Sequence, residues 1–426
     1  MRYVVVGAGP AGVITAEQVR SLDPEGEITL LGGEDEEAYS RMAIPYYLTG
    51  KVPEEGTHLR RDPGHFEQLN ITHRKGTRVT SINPQERRLT LNEGDSLEYD
   101  RLMLATGSRP VTPPIPGIDL PGIHPCWTLA DARKIKDAAQ SGHDVVLIGA
   151  GFIGTIIMDA LASKKVNLTV VEAEDRICPR MMNTEGGAII QSWCEEKGVR
   201  ILVNTKVKEI SDQGDKPLTL LLDNGDSIGA DLVVVATGVK PILDYLDGSG
   251  IETDEGILIN EKLQTNFPEI FAAGDAAQGM DYSTEGRSVH AIQPTAAEHA
   301  IVAAKNMTGH EAIYRGSLIM NVVETLKLCW YSFGLWMGSE ESESAEFIDK
   351  DKHRYIRLEF KGDQLIGAIY VGQLEQIGAL RGLIQNNISI RELKAELLED
   401  PRKLMEVYLL NTAHGAGRPT MSPTRG

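Results

Sequence analysis

Two glycine sets are the residues of this chain whose types and spacing are best suited to chemistry. Gly7, Gly9 and Gly12 stand in "YVVVGAGPAGVITAEQVR", and Gly149, Gly151 and Gly154 stand in "DVVLIGAGFIGTIIMDALA". In such a turn the first glycine permits a tight bend, the second lets backbone approach a pyrophosphate, and the third lets the helix pack closely on the strand. The helix that follows then aims the positive end of its dipole at the phosphates. Spacing alone is weak support. Here each set follows a β-branched apolar run, precedes an Ala/Ile-rich stretch, and is followed by a second apolar run that ends in acid. That is the context the motif requires, so two dinucleotide cradles are expected in one chain.

The acids at the run ends bear on which nucleotide each cradle takes. Glu172, in "LTVVEAED", lies where a carboxylate accepts from adenosine ribose hydroxyls and repels a 2′-phosphate. NADH is therefore expected over NADPH, with Arg176 close enough to weigh against the preference. In the first copy the run reads "LLGGE", and Glu34 is the candidate ribose ligand. The two glycines displace it, which leaves a surface role as the alternative.

A second repeat follows each cradle, "YDRLMLATGSRP" with Ala105, Thr106 and Gly107, and "ADLVVVATGVKP" with Ala236 and Gly238. A third element, "TNFPEIFAAGDAAQG", delivers Asp275 through small residues that include Gly274. A carboxylate on such a close-approach turn accepts hydrogen bonds from a polyol chain, which FAD has and NAD lacks.

These elements predict an α/β fold of two Rossmann-like domains and a C-terminal α+β interface domain. The first domain is discontinuous, 1–112 and 244–312; the second spans 113–243. The third spans 313–410, and the Pro/Gly-rich 411–426 reads as a flexible tail. "RYIRLEFKGDQLIGAIYVG" predicts a hairpin turning at Lys361-Gly362-Asp363. An apolar aromatic segment, Trp330 to Met337, would be a liability if exposed, so a homodimer that covers it is expected.

The balance of 61 acidic against 43 basic residues, a formal charge of −18, disfavours nucleic acid. No apolar run approaches the roughly 20 residues needed to span a bilayer. The sequence opens directly on a strand, and a cytoplasmic location is the default expectation. Cys126, Cys178, Cys194 and Cys329 form no CxxC pair, which gives neither a redox disulfide nor a metal cage local support. Cys126 and Cys178, beside prolines, are expected to be the more exposed. No HxxH or HExxH pattern occurs, so no metal site is expected.

Taken with GAGPAG, ATGSRP and AAGD, the chain resembles the FAD-dependent pyridine nucleotide-disulfide oxidoreductases with two dinucleotide-binding domains. It looks in particular like the branch of NADH-dependent rubredoxin and ferredoxin reductases and the nitrite reductase flavin domain. The resemblance implies FAD on the first cradle, NADH on the second, and hydride passing between stacked rings. It assigns Gly7, Gly9, Pro10, Ala11 and Gly12 to the FAD pyrophosphate and the backbone of Val79 to the adenine. Ala105, Thr106 and Gly107 would lie along FAD, with Gly274 and Asp275 at its ribitol. NAD would meet Gly149, Gly151, Phe152, Ile153, Gly154, Glu172, Ala236 and Gly238. Residues 291–309 would aim a helix N-terminus at the flavin's pyrimidine end.

The stretch "AYSRMAIPYYLTGK" resembles the segment that lines the flavin's redox face in these enzymes. In the coenzyme A disulfide reductase and NADH oxidase branch the pattern is similar to "NCGLPYYIGG", and Met42 stands at the cysteine's position. A thioether forms no thiolate, sulfenic acid or mixed disulfide, so disulfide reduction here is not expected. Electrons are expected to leave the flavin for an unidentified acceptor, a small redox protein or partner subunit. An NADH oxidase or diaphorase with a small-molecule acceptor is one alternative. The other is a slow NADH sensor similar to relatives of apoptosis-inducing factor. Arg41 either contacts FAD, where it would be the catalytic candidate beside the flavin, or fixes the loop in an ion pair. Tyr39, Tyr46 and Tyr47 read as packing or dimer contacts. Ile156 stands where many relatives carry a glutamate near the nicotinamide, and Asp159 is a candidate substitute. His290, His299 and Lys327 are candidate proton donors, with a satisfied helix-surface histidine as the other reading of His299.

Overall fold

The computed structural model describes residues 1–92, 94–284, 286–372 and 375–413. The first β-branched run forms the strand Arg2–Val6, at the centre of a five-stranded parallel sheet. Across the sheet the order is Ile270–Ala272, Arg101–Leu104, Arg2–Val6, Glu27–Leu31 and Ile71–Arg74. Both faces of a parallel sheet are covered, which is why these strands read as unbroken apolar runs. The helix that follows the first glycine turn, α1 (Pro10–Leu22), buries Val13, Ala16 and Val19.

The chain then crosses into a second sheet of the same build, ordered Arg200–Leu202, Asn167–Val171, Asp144–Ile148, Leu232–Val235 and Ile123–Pro125. Its helices are α2 (Leu129–Ala138), α3 (Phe152–Ser163) and α4 (Thr184–Glu196). Each parallel sheet carries a three-stranded antiparallel appendage at the same point of the repeat, 79–98 and 207–230. The two segments that follow the ATG motifs pair with each other, Ser108–Pro110 antiparallel to Val239–Pro241. The passage between the domains is therefore a hydrogen-bonded ladder. The chain returns through Ile270–Ala272 to α5 (Gln293–Met307), which packs along α1.

The C-terminal part is a five-stranded antiparallel sheet, ordered 320–325, 328–334, 364–371, 354–361 and 343–349. Lys361 pairs with Gln364, and Gly362 takes φ +59°, so the hairpin turns where the sequence predicts. The first hairpin of this sheet turns on Leu326 and Lys327, both at positive φ without glycine. Its tip is held by the second domain: Asp159 Oδ1 accepts from Leu326 N–H at 3.1 Å, and Trp193 Nε1 donates to Leu326 O at 3.1 Å.

Two expectations change here. Trp330 is fully buried and Trp336 is 8% exposed, both in one apolar cluster with the core of the second domain; only Met337 is open, at 61%. The aromatic segment is covered within the chain, which removes the reason given for a homodimer. Residues 411–413 are the end of the helix Leu404–Ala413, and the rest of the expected tail, 414–426, lies outside the described residues. Among the described residues no helix is long and apolar enough to cross a membrane.

Candidate functional site

Both glycine turns open on one cavity of about 1110 Å³ that runs between the two parallel-sheet domains. Its walls include Gly7, Gly9, Pro10 and Ala11 from the first turn and Gly149, Gly151, Phe152 and Ile153 from the second. Ala105, Thr106, Gly107, Ala236, Gly238, Gly274 and Asp275 line it as well.

The glycines divide by what a side chain would meet. A Cβ on Gly7 (φ +112°) would lie 2.1 Å from Ala105 O, and one on Gly149 (φ +99°) 2.5 Å from Ala236 O. A Cβ on Gly12 or Gly154 would strike Gly7 O or Gly149 O, at 1.8 and 2.1 Å, so these two seat the helix on the strand and do not reach the cavity. Gly9 and Gly151 are different: a Cβ there meets nothing within 4 Å. The protein itself gives no reason for glycine at these positions. Space kept clear for something that comes close to the backbone does.

The helix ends point the same way. Helix α2 is closed by a capping box of Thr128 and Asp131, and α4 by the side chain of Asn183. Helices α1, α3 and α5 start at Gly9, Gly151 and Ile292 with no side-chain cap and no acid in the first turn. All three begin on the cavity wall. Free N–H groups and a positive dipole end make each one an anion site.

The acids of the two copies are not equivalent. Gly7 N–H bonds to Leu31 O and Gly149 N–H to Val171 O, both at 2.8 Å, which fixes the register between the repeats. By that register Glu172 corresponds to Gly32, and Glu34 to Glu174. Glu172 is 7% exposed on the cavity wall and accepts from Ala150 N–H at 2.6 Å and Glu174 N–H at 2.9 Å. Glu34 also faces the cavity, but its oxygens accept from Arg41 Nη2 and Tyr39 OH, each at 2.8 Å. Where Glu172 has its counterpart, Gly32 and Gly33 leave the wall open, with Arg78 Cγ 3.3 Å from the place of a Gly33 Cβ. Arg78 lines the cavity, and its neighbour Val79 packs against the first core.

Arg41 sits inside the cavity, where it ties the first loop to the second domain. Its Nη1 donates to Trp127 O at 3.1 Å, and the guanidinium lies 5.1 Å from the Trp127 ring centre. Trp127 Nε1 donates to Ser108 O, and Ser108 Oγ donates to Asp275 Oδ2, each at 2.8 Å. Burial raises the Asp275 carboxyl above the usual range, against the Ser108 hydrogen bond and the field of Arg41. A ligand offering hydroxyl donors would relieve that carboxylate. Sequence reasoning missed Trp127; its pattern carried no signal, since its role depends on Arg41, 86 positions away.

Several other expectations are corrected. Met42, 47% exposed, lines the cavity as expected of a thiol-free wall, but Cys126 and Cys178 line it too and both are buried, not exposed. Burial pushes Cys126 up to about 12 and Cys178 higher still, so neither is a thiolate near neutral pH. Ile156 faces the cavity, whereas Asp159 is spent on the Leu326 backbone and does not substitute for an acid there. Lys327 stands at the hairpin tip, away from the cavity wall. His299 is 3% exposed rather than on a helix surface; its Nδ1 accepts from Gly274 N–H at 3.3 Å, and burial brings it down to about 3. It braces the Gly274–Asp275 turn as a neutral ring. Tyr47 is buried with Lys136 over its ring at 3.8 Å, and Tyr46 is 53% exposed.

Residues 1–305 match the family described as pyridine nucleotide-disulphide oxidoreductase, and residues 320–388 match the rubredoxin NAD+ reductase C-terminal domain. The NADH-dependent phenylglyoxylate dehydrogenase subunit epsilon of Aromatoleum evansii is 29% identical over 403 residues, 94% of this chain and 95% of that protein. Rhodocoxin reductase of Rhodococcus erythropolis is 33% identical over 319 residues, 74% of each chain. The covalent putidaredoxin reductase–putidaredoxin complex superposes with a TM-score of 0.88 at 26% identity, over 97% of this chain and 99% of that one.

Proposed function

The chain belongs to the pyridine nucleotide-disulphide oxidoreductase family, and on that premise we propose that it is an FAD-dependent reductase that takes a hydride from NADH and passes electrons singly to a small redox protein or partner subunit. The observation that carries this reading is the pair of uncapped glycine turns, α1 and α3, opening on a single cavity. The first turn fits FAD: Gly9 leaves room for a pyrophosphate, the N-terminus of α1 offers it N–H groups, and Asp275 is left to accept from a polyol. When bound, FAD supplies the chemistry, since it accepts an electron pair as hydride and releases electrons one at a time.

The protein's own part is to bind, orient and insulate. Gly151 and the N-terminus of α3 receive the NADH pyrophosphate, and Glu172 accepts from its adenosine ribose. Phe152, Ile153 and Ile156 make the wall beside this turn apolar, so the nicotinamide is placed by shape. Arg41, held by Glu34 and Trp127, closes the space between the domains; its role is positioning. The cavity wall presents the Met42 thioether and two un-ionised, buried thiols, which supports transfer outward over transfer to a disulfide. The relatives named for delivery to ferredoxin-type carriers support the same direction.

The preference for NADH rests on Glu172, and its removal tests that part. Glu172→Ala is expected to weaken NADH binding about tenfold, the worth of a charged hydrogen bond, while NADPH changes little. The ratio of reduction rates with the two coenzymes measures it. An unchanged ratio in the variant would show that the selector lies elsewhere.

A further inference from the structure

One buried pair, with His290 on the cavity wall and Asp281 behind it, is left unused by this reaction. Asp281 is fully buried where the first domain meets the C-terminal part, its segment paired with Ser317. Its Oδ2 accepts from His290 Nε2 at 3.2 Å and from Ser288 Oγ at 3.1 Å, and its Oδ1 from Ser283 N–H at 2.7 Å. Burial alone would raise this carboxyl; the hydrogen bonds from His290 and Ser283 outweigh it and hold it below the usual carboxylate range. The Ser288 hydroxyl lies on the carboxylate and not on the imidazole, so the trio does not activate a nucleophile.

A histidine tied through Nε2–H to a carboxylate presents Nδ1 as a bare acceptor. The His290 side chain is 7% exposed, and its Nδ1 is buried without a partner in a residue that lines the cavity three positions before α5. A buried polar atom left unpaired at a cavity wall is placed for a ligand or for a proton. Carboxylates and a guanidinium share its surroundings. Asp281 pairs with the ring directly, and Asp275 lines the same cavity. Arg41, in the N-terminal loop, lines that cavity as well. His299 on α5, whose protonation His290 opposes, stays neutral because burial holds it down at about 3. The residues lining the cavity from the C-terminal part, Leu318 to Asn321, carry no charge.

We propose that His290 and Asp281 form a proton reservoir for the flavin end of the cavity, a role that rests on the FAD reading above. NADH delivers two electrons and one proton as hydride and leaves as NAD+, which puts one net negative charge on the cofactor. His290 takes one further proton from solvent at Nδ1, and the imidazolium so formed pairs with Asp281. When the two electrons leave for two one-electron acceptors, the hydride's proton and the His290 proton both return to solvent, so each turnover releases one proton net from NADH.

The test counts protons. The midpoint potential of the FAD-loaded protein is followed anaerobically from about pH 6 to 8, the range in which a histidine titrates. Two protons per two electrons are expected over that range in the wild type, and one in His290→Gln. Asp281→Asn, which removes the carboxylate that favours the imidazolium, is expected to move the two-proton window to lower pH. A single proton in the wild type, or equal counts in wild type and His290→Gln, overturns the reservoir. Should His290→Gln fail to hold flavin, nitrogen-15 spectra of the histidine-labelled wild type decide. A bare Nδ1 in the oxidised protein that becomes protonated on reduction supports it, and a ring unchanged between the two states overturns it. A wild type that binds no flavin defeats the cofactor reading and this role together, whereas a flavin-loaded protein with an unchanged count defeats the reservoir alone.

Discussion

Gly151→Val is expected to give a folded, flavin-coloured protein that is nearly blind to NADH. Nothing lies within 4 Å of the position its Cβ would take, and the backbone there, at φ −74°, is one that any residue adopts. The substitution therefore strains no part of the chain. It fills the space kept clear above the N-terminus of α3, where a pyrophosphate has to touch backbone. Reduction of the flavin by NADH is expected to fall about 100-fold or more, because misplacement of a bound reactant by about 1 Å costs that much. Dithionite, which needs no cradle, is expected to reduce the variant as it reduces the wild type. Stopped-flow absorbance with the two reductants makes the comparison. A variant reduced by NADH at the wild-type rate would remove the second turn from the account.

The same substitution in the first copy is expected to remove the colour. Gly9 has an extended backbone at φ −79° and open space around its missing side chain, so Gly9→Val folds but leaves no approach for the flavin's pyrophosphate. The purified variant is expected to be colourless and to take up no FAD on reconstitution, with a circular dichroism spectrum like that of the flavin-free wild type. Gly12→Ala is the control. Its Cβ would stand 1.8 Å from Gly7 O, so it loses flavin by disturbing the packing of helix on strand, and its thermal stability falls with it. Loss of flavin with stability intact in Gly9→Val, set against loss of both in Gly12→Ala, separates a binding glycine from a packing glycine. A yellow Gly9→Val protein contradicts the reading of the first turn.

The parts legible in the sequence are those fixed by short-range rules. An apolar run, a glycine turn and a helix determine one another over about 20 residues, and the chain writes the unit twice; Asp275 on its small-residue turn is similarly local. What could not be read depends on which distant residues meet. Glu34 has the right type near the right place, but the register through Leu31 sets it two positions late, and Arg41 and Tyr39 occupy it. Asp159 sits one turn along α3 from Ile156, and only the docked hairpin shows that it serves the Leu326 backbone. Apolar periodicity shows that the segment around Trp330 needs cover and is silent on whether the cover is another chain or, as here, the second domain. Cys126 and Cys178 lie beside prolines, a neighbourhood that suggests a surface loop, yet both loops fold into the cavity wall. His290 is a further case, since Asp281 lies nine positions away and no periodic pattern joins the two.

The measurement that bears most directly on the account is an anaerobic titration of the FAD-reconstituted wild-type protein with NADH, followed by its visible absorption. Two cradles on one cavity predict that about one equivalent of NADH bleaches the bound flavin and that a one-electron carrier then restores the colour. A protein that takes up no flavin, or whose bound flavin keeps its colour in excess NADH, would contradict it.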